Sequence, residues 1–272
     1  MEQLARVITS GLFVFFFAFA TFIQASDHFK TINGHEAVTT IPTREGTTIS
    51  FVASPPKQEP KAAAILFVGG HGKIKLWKRP QRLRSNNFLA RSRQQFVDRG
   101  VFTVTVDVPS NRKDEGLYGF RQTEEHKVDI TAVVAWVRTK TRAPLWLIGT
   151  SYGTVSVSFL AGALPIDGAI FTASSTKPGK EQYTALDGDL DRVKAPTLIV
   201  HHREDGCRTC PLENLEVLAG RLANAEKVEI LLFEGGHPAT SKACGSQSPH
   251  GFLGIEQKVV ATTVDWMYQH AP

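Results

Sequence analysis

The chain of 272 residues has no internal repeat and no low-complexity tract, so a solenoid array or a long disordered tail is not expected. It carries no recognisable nucleic-acid-binding motif, which leaves a DNA or RNA partner without support. Its most apolar run, Gly11 to Ile23, is rich in Phe but too short for a comfortable membrane span. Cysteine is scarce, with three residues, Cys207, Cys210 and Cys244. An odd count leaves one thiol over once a disulfide has formed. Acidic residues are absent from one long stretch: Lys73, Lys75, Lys78, Arg79, Arg82, Arg84, Arg91 and Arg93 follow one another with no acid before Asp98. A solvated loop and helix face explains that stretch most simply. Attraction of an anionic substrate or envelope surface is the functional alternative.

The amino-terminal segment reads as a secretory signal peptide. Arg6 and the amino terminus give a weakly charged start, the Phe-rich run follows, and Ile23-Gln24-Ala25 offers a cleavage site after Ala25. An uncleaved anchor is the rival reading. Either way the rest of the chain is expected outside the cytoplasm, secreted or periplasmic. The formal charge of +5 is unchanged by removing residues 1–25, because Glu2 and Arg6 leave together. Residues 26–272 then form one domain, with no linker splitting it. No stable membrane span is expected after cleavage, and the sequence leaves the oligomeric state open.

Export permits a disulfide. Cys244 is expected as one partner and Cys207 as the other, because a Cys207–Cys210 bridge would strand Cys244. Cys207-Arg208-Thr209-Cys210 is formally a C-x-x-C, but a thioredoxin-like role needs that motif in a different fold. A zinc site from the three cysteines and His250 is a lesser reading, since its ligand pairs would have to converge. Nothing else requires a metal, so no metal or organic cofactor is expected.

Strand-like runs alternate with helical ones. Ala37 to Thr40 and Thr47 to Ala53 read as a hairpin, and Pro55 to Pro60 as a turn-rich connection. Continuous apolar runs at Ala62–Val68, Val101–Val106, Leu145–Ile148, Gly168–Thr172, Pro196–His201 and Val228–Phe233 read as buried strands. Helices are expected over Asn87–Arg99, Thr123–Lys140, Thr154–Ala163, Leu212–Ala223 and Gly254–Gln269. In the second, Val128, Ala132, Ala135 and Trp136 fall at helical spacing. Such alternation predicts an α/β fold with a mostly parallel sheet covered by helices on both faces. Trp136, Trp146 and Trp266 fit core positions, and Trp77 falls in a basic loop near the expected mouth of a site.

Gly149-Thr150-Ser151-Tyr152-Gly153 is the feature that points to chemistry. With Gly and Ser each at roughly 7% of residues, a bare Gly-x-Ser-x-Gly arises by chance in about one chain in ten of this length. Here it stands between a strand and a buried helix. A serine on that strained turn has its hydroxyl pushed into the open.

The strand order, this elbow after the third parallel strand, and an acid and a histidine behind it resemble the α/β-hydrolase superfamily from about residue 35 to the end. Phe67-Val68-Gly69-Gly70-His71-Gly72, Leu147-Ile148-Gly149-Thr150-Ser151 and His250-Gly251-Phe252-Leu253-Gly254-Ile255-Glu256 are similar to a group of secreted, largely uncharacterised members. The resemblance implies Ser151 as nucleophile, an imidazole to take its proton, and a carboxylate to orient that imidazole. The acid belongs after Pro196–His201, where Asp205 is favoured over Glu204. Asp187, Asp189 and Asp191 read as solvated turn residues. The base belongs after Val228–Phe233. His250, before the last helix as in dienelactone-hydrolase-like members, is favoured over His237, which stands just past the strand. A Cys207–Cys244 bridge would clamp the acid loop to the histidine loop. Oxyanion donors are expected from the backbone N–H of Tyr152 and, by position, of His71. Relatives carry His-Gly where this chain carries Gly69-Gly70-His71. Asp107, Arg121 and His126 read as structural.

Ala173 to Leu190 is short and shows little apolar periodicity, so a lid is expected to be minimal. These residues predict an exported serine esterase acting on a small-molecule ester or related acyl bond, with an anionic substrate as one option. A peptidase or acyltransferase would use the same triad. A non-catalytic envelope binding protein retaining the fold is the reading from a different class.

Overall fold

A computed structural model describes residues 30–32, 36–78, 83 and 85–272. The expected signal peptide, residues 1–25, lies outside the described residues.

Among the described residues nine strands form one sheet in the order β1-β2-β3-β5-β4-β6-β7-β8-β9. The first three are β1 (Lys30–Ile32), β2 (Glu36–Arg44) and β3 (Thr47–Ser54), and they make an antiparallel edge. Then β3 pairs antiparallel with β5 (Val101–Val106). The remaining strands are β4 (Ala62–Phe67), β6 (Leu145–Thr150), β7 (Gly168–Thr172), β8 (Thr197–His202) and β9 (Val228–Phe233), all paired in parallel. Every residue of β4, β5, β6, β7 and β8 is buried, which is why these strands read as mostly apolar runs without alternation of charged residues.

Five helices among the described residues cover the two faces. They are α1 (Phe88–Val97), α2 (Glu124–Arg138), α3 (Gly153–Leu160), α4 (Leu215–Arg221) and α5 (Glu256–Gln269). Alternate residues of β4 divide between two cores. Ala63, Ile65 and Phe67 pack with residues of α2, α3 and α4. Ala62, Ala64 and Leu66 pack with residues of α1 and α5. Trp146 and Trp266 meet edge to face at 5.9 Å in the second core.

The face of α2 differs from the expected one. Val128 is 43% exposed, and Ala135 also faces solvent. The buried stripe is His126, Asp129, Ile130, Val133, Val134 and Val137. The two polar residues in it have partners. Arg44 donates to both carboxylate oxygens of Asp129, at 2.9 and 3.0 Å, and His126 Nε2 lies 3.1 Å from Ser156 Oγ. Those bonds remove most of the penalty for burying polar groups, so the stripe with more aliphatic volume packs inward. Trp136 still packs from the side of the helix, edge-on to Phe51 at 4.7 Å.

Between β7 and β8 the described chain makes only two three-residue 3-10 turns, Ala185–Asp187 and Leu190–Arg192. No helix among the described residues is long and apolar enough to cross a membrane.

Candidate active site

Ser151 stands between the end of β6 and the start of α3 with φ of +54°, a left-handed conformation that a side chain adopts only under strain. Two glycines make the turn possible. A Cβ on Gly149 would come 2.5 Å from the Gly153 carbonyl oxygen, and one on Gly153 would come 2.1 Å from the Phe67 carbonyl oxygen. The turn is held from below, because the Ser151 N–H donates to the Thr172 carbonyl at 3.0 Å. The hydroxyl enters a cavity of about 300 Å³ lined by Gly69, Gly70, His71, Asn87, His250 and neighbours.

Asp205 follows β8, and its side chain is fully buried. Its Oδ2 lies 2.8 Å from His250 Nδ1, and its Oδ1 accepts from the Cys207 N–H at 2.9 Å. His250 sits in the 3-10 turn Pro249–Gly251, is 5% exposed, and lines the Ser151 cavity. Cys207 and Cys244 form a disulfide that joins the Asp205 loop to the His250 loop. Arg91 supports the other side by donating to the Gly251 carbonyl at 2.6 Å and to Glu256 at 2.7 Å. His237 and Glu204 are both exposed and do not line this cavity. The His237 N–H pairs with the Leu253 carbonyl at 2.9 Å. Ser151 Oγ lies 3.9 Å from Cys210 Sγ and makes no hydrogen bond to His250.

The loop after β4 is fixed from two directions. Arg121, fully buried, donates to the Gly70 carbonyl at 2.9 Å and to Ser156 Oγ at 3.1 Å. Asp107 accepts from the backbone N–H groups of Ile74 and Leu76 at 2.9 and 2.7 Å. The N–H groups of Gly70, His71 and Tyr152 have no hydrogen-bond partner among the described residues. Asn87 caps α1 by accepting the Leu89 N–H at 3.1 Å through its oxygen. Its amide nitrogen faces the back of Gly69, 3.5 Å from where a Cβ would stand.

Two expectations change here. Trp77 does not line the Ser151 cavity. It packs on Val108, Leu117 and Phe120 and borders a separate depression with Val38, Thr40 and Asp107. Its loop is drawn that way by the two Asp107 bonds. The basic stretch is also not a free cationic surface throughout. Arg91 pairs with Glu256, Arg93 with Glu36, and Lys73 with the Asp114 carbonyl. Those partners lie far away in sequence, so spacing alone could not reveal them.

Burial sets the charge states around the site. His201 lies behind Asp205, its Nε2 3.6 Å from Oδ2, and burial pushes its pKa down to about 4. Burial lowers His126 to about 3 and Arg121 to about 10, so the first is neutral and the second charged at neutral pH. The Cys210 thiol is pushed up to about 12 by burial and by the Asp205 charge, so it stays protonated. Sequence reasoning missed Asn87, His201 and Cys210 as neighbours of the site. Only Asn87 had a readable signal, since Asn before an apolar helix is a cap.

No family model matches the sequence, and no curated protein matches it. Solved structures do. A serine hydrolase homologue from Coxiella burnetii superposes with a TM-score of 0.59 at 17% identity, covering 86% of this chain and 99% of that one. The chain has the α/β-hydrolase fold. An α/β serine hydrolase without lid from Xanthomonas campestris matches with a TM-score of 0.57 at 15% identity, over 86% and 97% of the two chains. Dienelactone hydrolase from Anabaena variabilis matches with a TM-score of 0.61 at 12% identity, over 88% and 99%. In an α/β-hydrolase fold the turn after β6, the loop after β8 and the segment after β9 open at one end of the sheet, and Ser151, Asp205 and His250 occupy those three places.

Proposed function

We propose that the protein is an exported serine esterase that cleaves a small ester or related acyl bond through an acyl-Ser151 intermediate. Ser151 Oγ attacks the carbonyl carbon as His250 Nε2 takes its proton. Asp205 fixes the proton on His250 Nδ1 and stabilises the imidazolium. The N–H groups of Tyr152 and of His71, or Gly70 beside it, receive the developing oxyanion. Collapse of the tetrahedral species expels the alcohol, which takes the proton from His250. Water then enters by the same route and releases the acid. The 2.8 Å contact of Asp205 with His250, which lines the cavity that holds the strained Ser151, carries this reading.

The absence of a lid helix among the described residues supports a small or protruding substrate rather than action at a lipid surface. The Cys207–Cys244 disulfide is compatible with export, and residues 1–25 would be the signal peptide. A fluorophosphonate probe tests the proposal. The mature protein should be labelled and Ser151→Ala should not. A folded wild type that resists labelling and turns over no short ester, lactone or amide removes the enzyme reading.

A further inference from the structure

The third cysteine has no part in the proposed chemistry, yet it lies against it. Cys207 Sγ, Cys210 Sγ and a ring nitrogen of His250 all lie within 4.8 Å of one another, and all three residues are buried. Cys244 Sγ is bonded to Cys207 Sγ, so a fourth donor stands at the same point. The Cys210 N–H closes a turn on the Cys207 carbonyl at 2.9 Å, which brings the two side chains of the C-x-x-C together. The convergence that spacing could not promise is present.

We propose that the reduced protein binds Zn²⁺ through Cys207, Cys210, Cys244 and His250, a Cys₃His site that takes the imidazole away from Ser151. Zn–S bonds near 2.3 Å and Zn–N bonds near 2.1 Å set tetrahedral donor separations of about 3.5 to 3.8 Å. The Cys207, Cys210 and His250 donors need to close by about 1 Å, whereas the Cys207 and Cys244 sulfurs need to part. Reduction allows that parting. A dithiol reductant supplies two electrons and two protons to the disulfide and becomes a disulfide itself. Zn²⁺ then displaces three thiol protons to solvent and takes the lone pair of His250.

Two features fit the site to this ion. His250 Nδ1 already faces Asp205 at 2.8 Å, which leaves Nε2 for the metal and supplies the carboxylate–histidine–zinc arrangement of many zinc centres. Thr209 Oγ1 lies 3.3 Å from Cys207 Sγ and 3.7 Å from Cys210 Sγ, placed to donate to thiolates. Cys244 is exposed, so a reductant can reach its half of the bridge. Loss of activity on zinc binding rests on the reading of His250 as base, but zinc binding itself does not.

The test titrates Zn²⁺ into oxidised and phosphine-reduced protein, with bound metal counted by mass spectrometry and Co²⁺ used as a spectroscopic stand-in. Reduced protein should bind about one equivalent with tetrahedral thiolate–Co²⁺ absorption, and oxidised protein none. Cys210→Ser and His250→Gln should each weaken Zn²⁺ binding at least about tenfold. Equal binding by both redox forms, binding indifferent to either substitution, or a reduced protein that stays unfolded with Zn²⁺ present would overturn the proposal. Probe labelling of Ser151 in the oxidised, zinc-free protein tests the esterase reading separately. If that labelling succeeds, it should be lost when zinc loads the reduced form and return on chelation.

Discussion

Replacing Asp205 with Asn tests the proposed triad where the geometry is most specific. Asp205 Oδ1 accepts the Cys207 N–H and Oδ2 faces His250 Nδ1. An asparagine must keep an acceptor toward the Cys207 N–H, because a buried N–H facing an NH₂ group would lose its bond. Its carbonyl oxygen therefore takes the Oδ1 position and its NH₂ faces His250. That NH₂ donates, so Nδ1 must accept and the imidazole proton moves to Nε2. The atom that should take the Ser151 proton then already carries one. An exchange of this type costs about 10⁴ in kcat, equivalent to about 5.4 kcal/mol of transition-state stabilisation. The assay is steady-state hydrolysis of a p-nitrophenyl ester, with KM followed alongside. KM should change little, because Asp205 is buried behind the histidine and does not reach the cavity. Circular dichroism and urea melts should show a folded protein, since the substitution preserves shape. A folded Asp205→Asn protein retaining more than about a tenth of wild-type kcat would refute the assignment of the acid. Loss of turnover in His237→Ala with His250→Ala unaffected would refute that of the base.

Other perturbations probe the scaffold. Cys244→Ser removes a bridge spanning 37 positions and should lower stability by about 4 kcal/mol in urea denaturation, with a fall in kcat as the acid and base loops separate. Arg121→Met frees the Gly70 carbonyl and strands Glu181, and should cost about 3 kcal/mol in stability and about 100-fold in kcat/KM. Acid should destabilise the fold below about pH 6.5. His126 and His201 are held neutral in the folded protein, so the unfolded chain binds more protons between their lowered pKa values and 6.5. Stability then rises with pH across that window and is lost as pH falls toward 4, by about 1.4 kcal/mol per pH unit for each histidine. Urea melts at pH 6.5 and 5 measure the slope, which His201→Asn should roughly halve.

The parallel strands were legible because burial on both faces removes polar residues from them. β5 and β7, buried throughout, have the bounds their runs predict, and so does β9, a partly buried edge strand whose run is apolar apart from Glu229. The face of α2 was not legible, because Asp129 and His126 look like surface residues until Arg44 and Ser156 are seen beside them. The strained turn at Ser151 was legible from local sequence, since it is made by its own neighbours and two glycines. Arg121 was not. Its place as the clamp on Gly70 depends on a turn that closes across the sheet, and a buried arginine leaves no local mark.

The choice between His237 and His250 shows why local sequence reaches a limit at this site. Both lie in the excursion between β9 and α5. Its neck is closed by the bond from the His237 N–H to the Leu253 carbonyl, and farther out by the Thr240 N–H to the Gln247 carbonyl at 2.9 Å. His237 is thus fixed at the neck, where a Cβ on Gly254 would strike its ring at 2.5 Å. His250 returns on the opposite side, carried into the cavity by the turn that Ser248 anchors through the Ala243 and Gly245 carbonyls at 2.9 and 2.8 Å. Distance from the strand end therefore says little about which imidazole lines the Ser151 cavity. What decides it is the route of the excursion, and Cys207, bonded to Cys244 two positions after Asp205, holds that route against the acid.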